Sequence, residues 1–370
     1  MAVLTEEQAM LRDAAKAWVQ DKSPVTAFRK LRDSGNADGF DRAAWREMAQ
    51  MGWSGILIPE EFGGTGLGYL TLGLVLEETG RTLTASPLIS TALTATTALL
   101  LGGNDAQKKE WLPKIAEGTV VAALAVDEGP HHHPAKIALK ATKSGGGYAL
   151  SGRKTFVVDG GSADLLIVAA NTGAGVALFL VKGDASGLTR QRLHSLDSRN
   201  MANLTFDNVP ADSVLGTEGQ GAALLEKILD RARAGLAAEM LGTATQAFEI
   251  TLDYLKTRTQ FGQLIGTFQA LQHRAAKMYT DMELTRSCVE AALAAIDNNA
   301  NDVPQLASLA KAKASELLHL VSSEMVQMHG GIGMTDAHDA GLYLKRARVA
   351  EATYGGAAFH RDRYASLLGY

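Results

Sequence analysis

Gln327-Met328-His329-Gly330-Gly331-Ile332-Gly333 closes an apolar helical run over residues 317–328 with a cluster of glycines. A glycine cluster can simply end a helix, because glycine tolerates left-handed backbone. It also lets backbone come close to a phosphate or to another chain. A second phrase stands about seventy residues earlier and gives the first its weight. It reads Arg258-Thr259-Gln260-Phe261-Gly262-Gln263-Leu264-Ile265, followed by Phe268-Gln269. An arginine offers several fixed donors to phosphate, so a phosphate-bearing ligand is one reading of the pair. A solvated charge at a helix end is the other.

Working outward, the segments before and after a central stretch read as helices. Thr5-Glu6-Glu7-Gln8 has the capping-box pattern. Apolar residues at helical spacing follow it, and residues 40–51, 69–83, 88–101 and 106–117 read the same way. Residues 59–66, Pro-Glu-Glu-Phe-Gly-Gly-Thr-Gly, form a loop. Near Thr119 the pattern changes to short β-rich runs at 120–126, 148–151, 155–158, 165–170, 176–181 and 204–206. That spacing predicts a small antiparallel sandwich or barrel. After Gly216 the chain turns helical again, with residues 222–257 forming one long helix or two. The expected organisation is α+β and multidomain. An all-α N-terminal domain spans 1–118, a small antiparallel β domain spans 119–218, and an all-α C-terminal bundle spans 219–370.

Composition narrows the function classes. The 370 residues carry a net charge of −4, which gives no electrostatic case for nucleic acid or for a membrane surface. No uncharged apolar run reaches the length of a membrane span. Residues 1–8 hold no apolar core long enough for an export signal, so export is not expected. Cys288 is the only cysteine, which fits a reducing cytoplasm. His131-His132-His133 suggests a metal, but adjacent side chains diverge and no acid or cysteine stands at ligand spacing. No metal is expected; a solvated loop is the simpler reading.

The order all-α, small β, all-α, together with these phrases, resembles the acyl-CoA dehydrogenase family over nearly the whole chain. The loop at 59–66 is similar to its Pro-Glu-Glu-x-Gly-Gly element. Gly152-x-Lys154 and Asn208-Val209-Pro210 are similar to landmarks of its β domain. The resemblance implies FAD as cofactor, an acyl-CoA substrate and electron-transferring flavoprotein as acceptor. It places Arg258 at the pyrophosphate, Phe261 beside the adenosine end, Ile265 among the cofactor-binding residues, and Gln327, Gly330 and Gly331 on the ADP, which a neighbouring subunit partly holds. It therefore implies a homodimer or homotetramer, or a heteromer with a homologous dehydrogenase.

The sequence departs from the family on the flavin-ring side. Trp-Ile-Thr/Ser-Asn-Gly becomes Phe156-Val157-Val158-Asp159-Gly160. Phe156 keeps an aromatic face, whereas Val158 lacks the hydroxyl. The family's Thr-Glu-Pro-x-x-Gly-Ser-Asp loop becomes residues 127–134, with only an acid and a proline recognisable. The reaction also needs a base to take the α proton. The family's Ile-Tyr-Glu-Gly-Thr reads Thr353-Tyr354-Gly355-Gly356-Ala357, so the Glu position is Gly355. Tyr354 and Gly355 retain a substrate-binding role by resemblance, the Gly355 N–H being a donor for the thioester oxygen. The isovaleryl-type base position falls on Ala232. Asp230 and Arg233 match an Asp-x-x-Arg pair that relatives direct at the CoA arm and the active-site floor. Glu239 lies two turns beyond Ala232, about 10 Å along one helix face, inside an apolar stretch where a carboxylate is costly unless paired or functional. It is the candidate base, with a paired structural residue as the alternative.

Two readings follow. One is a single-chain dehydrogenase for a bulky, ring-bearing or branched acyl group. The other is a non-catalytic partner subunit that completes a neighbour's FAD site.

Overall fold

Thr5 caps the first helix as its sequence predicts. Its side chain accepts from the Gln8 N–H, and Gln8 returns the bond. The computed structural model describes residues 4–211 and 213–370, so the first three residues of the stretch read for an export signal lie outside the described residues. The helices that follow α1 (Glu6–Lys22) are α2 (Val25–Ser34), α3 (Arg42–Gln50), α4 (Gly68–Arg81), α5 (Thr96–Gly102) and α6 (Asp105–Ala116). Residues 88–101, expected as one α-helix, begin instead as a wholly buried π-helix over Leu88–Ala95. There Thr94 and Thr96 hydroxyls donate five residues back, to the carbonyls of Ile89 and Thr91.

The strands are β1 (Ala122–Ala125), β2 (Lys140–Ser144), β3 (Gly147–Val158), β4 (Leu165–Asn171), β5 (Val176–Lys182), β6 (Leu188–His194), β7 (Asn200–Ala211) and β8 (Ser213–Leu215). They form one sheet in the order β6-β7-β3-β2-β4-β5-β8, with β1 beside β4. The sheet is not wholly antiparallel, as the sequence had suggested. β1 runs parallel to β4 over four residue pairs, and β2 touches β4 in parallel at Lys140 and Asn171. The reason lies in the burial of β1 and β4. Both are apolar and buried on both faces, the pattern that suits a parallel partner. Leu150, Val168, Phe179, Leu204 and Phe206 fill the core, with Tyr148 set edge-on to Phe179. The two runs read at 148–151 and 155–158 are one strand, β3, broken in register by bulges.

The remaining helices are α7 (Gly221–Thr257), α8 (Gln269–Asp297), α9 (Val303–His329), α10 (Ala340–Ala352) and α11 (Ala357–Leu367), with a two-strand ribbon β9 (Thr259–Gln260) and β10 (Gln263–Leu264) after α7. Residues 222–257 are thus a single helix. Among the described residues, no helix is long and apolar enough to cross a membrane. By proximity of backbone the chain divides into two compact units. One holds the described residues to Phe28, Gly73–Thr84 and Arg233–Tyr370; the other holds Arg29–Leu72 and Ala85–Ala232.

Candidate functional site

In the helical unit, the two diagnostic phrases meet. α7 ends at Thr257, and the Arg258 N–H continues its ladder to the Tyr254 carbonyl. The Tyr254 hydroxyl donates to the His329 carbonyl, and their rings stack at 4.3 Å. His329 is the last residue of α9, so the Arg258 corner and the Gly330-Gly331 turn are tied through one aromatic pair. Arg258, Gln327, Gly330 and Gly331 are all exposed. Gly330 has φ 65°, and nothing lies within 4 Å of where a Cβ would stand on Gly330 or Gly331. Phe261, held at φ 54°, is 90% exposed. A cation, a bare-backbone turn and an uncovered aromatic ring together fit the phosphate and adenosine ends of a dinucleotide. Ile265 does not share that exposure. It is buried and returns its N–H to the Arg258 carbonyl, at 2.9 Å. It thereby ties the turn after β10 back to the end of α7.

The Tyr354-Gly355 turn is buried and closely packed. Tyr354 is buried at φ 57°, and Gly355 lies at φ 101°. A Cβ on Gly355 would stand 2.5 Å from Phe359 Cδ1 and 3.0 Å from His360 Nε2. The Gly355 N–H donates to the Ala352 carbonyl at 3.3 Å within the turn. Two buried bases hold the turn from beneath. Lys311 Nζ donates to the carbonyls of Gly355 (2.9 Å), Ala350 (3.1 Å) and Glu351 (3.2 Å). His360 Nε2 donates to the Tyr354 carbonyl at 3.0 Å, which fixes its tautomer. Burial pushes Lys311 down to about 7; Glu351 opposes that shift and Arg233 adds to it. Burial likewise lowers His360 to about 2, helped by Lys311 and Arg233, so its ring is neutral. Arg233 is fully buried with its guanidinium 5.6 Å from the Phe359 ring centre. It therefore belongs to the floor under this turn. Lys311 and His360 were missed from sequence. A lysine within the helical run of α9 was the available signal, because an unpaired buried lysine is costly.

Glu239 is 4% exposed and its carboxylate faces Arg346, at 3.8 Å. Arg346 is itself buried and donates to the Leu83 carbonyl. This is the paired arrangement named above as the alternative to a base. Ala232 is buried and carries no polar atom on its side chain.

In the β-containing unit, Phe156 is 52% exposed at φ 53°, and Val158 is half-buried beside it. Asp230 is buried on the part of α7 that belongs to this unit. The loop at 127–134 is not freely solvated, as had been expected. His132 Nδ1 lies 2.9 Å from Asp127 Oδ2, and its side chain is buried. Glu128 accepts from the N–H groups of Ala138 and Leu139 and from Lys154 Nζ, the last at 2.7 Å. Lys154 is fully buried, also donates to the Val126 carbonyl, and is lowered to about 8 by burial against the pull of Glu128. His131 and His133 remain exposed.

Comparison with known proteins covers this whole arrangement. Residues 5–119, 126–209 and 219–368 match the N-terminal, middle and C-terminal domains of acyl-CoA dehydrogenase. The mitochondrial isovaleryl-CoA dehydrogenase of Pongo abelii is 33% identical, over 97% of this chain and 88% of that protein. A variant of the Tcur3481-Tcur3483 steroid ACAD is 35% identical with a TM-score of 0.91, over 98% of each chain. The ChsE4-ChsE5 complex of Mycobacterium tuberculosis is 27% identical with a TM-score of 0.91, over 100% of this chain and 99% of that one.

Proposed function

Because the chain belongs to the acyl-CoA dehydrogenase family, we propose that it serves FAD-dependent α,β-desaturation of a bulky acyl-CoA as one subunit of a heteromer. A homologous chain supplies the base. The observation that carries this reading is the closely packed Gly355 turn. The α proton needs a positioned carboxylate, and Gly355 and Ala232 offer none. Glu239, the remaining candidate, is engaged by Arg346.

The other half of the machinery is present. FAD, when bound, accepts the β-hydride. Arg258, Phe261, Gln327, Gly330 and Gly331 are exposed where they can take the ADP half of a flavin seated on a partner chain. On this chain's own ring side, Phe156 offers an aromatic face but Val158 cannot hydrogen-bond the ring. A chain that keeps what it lends to a neighbour and has lost what serves itself fits a partner subunit. The similarity to a steroid ACAD and to a ChsE4-ChsE5 complex supports a ring-bearing substrate and a heteromer. Asp230 and Arg233 are assigned to the CoA arm and the site floor, and Tyr354 to the acyl cavity. Electron-transferring flavoprotein is the assigned acceptor and the cytoplasm the assigned location.

The single-chain alternative, with Glu239 as base, makes the opposite prediction in one experiment. The chain is purified alone and co-expressed with a neighbouring homologue that carries an intact glutamate. Flavin absorbance, mass by light scattering, and anaerobic reduction by a steroid-ring acyl-CoA are measured. The heteromer reading expects flavin and bleaching only in the co-purified complex. A homo-oligomer that holds stoichiometric flavin and is bleached in one turnover overturns it.

A further inference from the structure

A cavity of about 230 Å³ lies between the end of α2 and the β6-β7 turn, both within the β-containing unit. Four basic side chains line it: Arg32 from α2, Arg192 and His194 from β6, and Arg199 from the turn. Among the described residues, no carboxylate lines it. Its two walls are fastened together. The Asn200 side-chain amide donates to the Asp38 carbonyl at 2.7 Å and to the Ser162 hydroxyl at 2.8 Å. Gly39, at φ 70°, packs so closely on Asn200 that a Cβ there would stand 2.7 Å from the Asn200 Cβ. The turn itself is built around buried Asp197, which accepts from the Ser195 hydroxyl at 2.6 Å and from the Arg199 N–H at 3.2 Å.

Two of the four bases have carboxylates behind them. Asp33 accepts from Arg32 Nε at 2.7 Å, and Asp197 Oδ2 lies 3.8 Å from Arg199 Nε. These pairs fix two guanidiniums whose side chains are only 21% and 15% exposed, so they belong to the wall rather than to the solvent. Arg32 also stands in the last turn of α2, where a cation offsets the helix dipole. Arg192 and His194 have no such structural duty. They stand two apart on β6, hence on one face, and their side chains make no hydrogen bond or ion pair with the described residues. β6 is an edge strand, and charges on an edge keep it from pairing with other chains. That accounts for neither the arginines from α2 and the turn nor the cavity they share with β6. Basic side chains gathered in a cavity draw an anion, and guanidinium forks match the oxygens of phosphate. Ser195 and Ser198 add hydroxyls to the same lining, and Leu31 and Leu193 give it an apolar side.

We propose that this cavity is a binding site for a phosphate-type oxyanion, held by Arg32, Arg192, His194 and Arg199. It shares no residue with the Arg258 corner and does not rest on the functional reading above. The free ion and a phosphate monoester share that chemistry, and the test separates them. The full chain, in the assembly in which it purifies, is titrated calorimetrically with inorganic phosphate and with glycerol 3-phosphate, at low and at physiological ionic strength. The same titrations are run on Arg192→Gln, Arg32→Gln and Arg258→Ala. One saturable site per chain, millimolar or tighter, should survive physiological salt. Loss of a charge-assisted bond should weaken it by about 10- to 100-fold in Arg192→Gln and in Arg32→Gln. The Arg192 side chain is exposed, so that variant should keep the wild-type melting temperature. Arg258→Ala should bind as the wild type does. Tighter binding of glycerol 3-phosphate marks an ester whose organic part meets Leu31 and Leu193, and equal affinity marks the free ion.

No saturable binding of either probe at millimolar concentration overturns the proposal. So does binding that disappears at physiological ionic strength, which marks diffuse attraction to surface charge. Wild-type affinity in Arg192→Gln overturns it as well. Binding lost in Arg258→Ala but kept in Arg192→Gln assigns the anion to the Arg258 corner, which overturns this site and leaves the functional reading standing.

Discussion

Putting back the family's glutamate by Gly355→Glu should damage this protein rather than activate it. Two penalties come from the Cβ alone. At φ 101° an L side chain is strained, at about 1–3 kcal/mol. The new atom would lie 2.5 Å from Phe359 Cδ1 and 3.0 Å from His360 Nε2, and such overpacking costs about 1–3 kcal/mol. The sum is a loss of about 2–6 kcal/mol in unfolding free energy. Because Cβ carries it, Gly355→Ala should show most of the same loss. Relief by moving His360 would disturb the bond that it gives to the Tyr354 carbonyl. Urea unfolding of the three proteins measures the stability. Single-turnover flavin reduction by a ring-bearing acyl-CoA, in the co-purified complex, measures any gained chemistry. A Gly355→Glu protein with wild-type stability and a new base-dependent rate would refute the close-packing argument.

Arg258→Ala should weaken FAD retention by about 1.5–3 kcal/mol, the worth of a charge-assisted phosphate contact, with little effect on folding because the side chain is exposed. Flavin content after gel filtration checks it, and equal loading in mutant and wild type counts against the assignment. Glu239→Gln should destabilise the helical unit by about 1–3 kcal/mol, because it removes the negative charge that faces buried Arg346, yet leave the flavin reduction rate of the complex within a factor of about 3. A rate drop of about 10²-fold or more would restore Glu239 as base. For Lys311 the sign follows from a folded value of about 7 against an ordinary 10.5. Between those limits the unfolded chain binds the extra proton, so stability rises with pH. Lys311→Met should remove that slope from the urea midpoint measured across pH 7 to 10; a parallel slope in the mutant places its origin elsewhere.

Much of the fold was legible because the signals are local. The capping box at Thr5 and Gln8, the apolar spacing of the helices and the change to β-rich runs near Thr119 each depend on neighbours in sequence. Tertiary packing decided the rest. The parallel pairing of β1 with β4 depends on burial of both faces, and the π-helix on where its hydroxyls find acceptors in the sheet. The resemblance implies that Gly355 stands at a glutamate position, but only packing shows how closely Phe359 and His360 crowd it. Glu239 illustrates the same limit. An acid within an apolar stretch reads equally as a base or as half of an ion pair, and only the tertiary structure places Arg346, over a hundred residues away along the chain, 3.8 Å from its carboxylate. A side chain's chemistry is written in its sequence, whereas its partner is set by the tertiary structure.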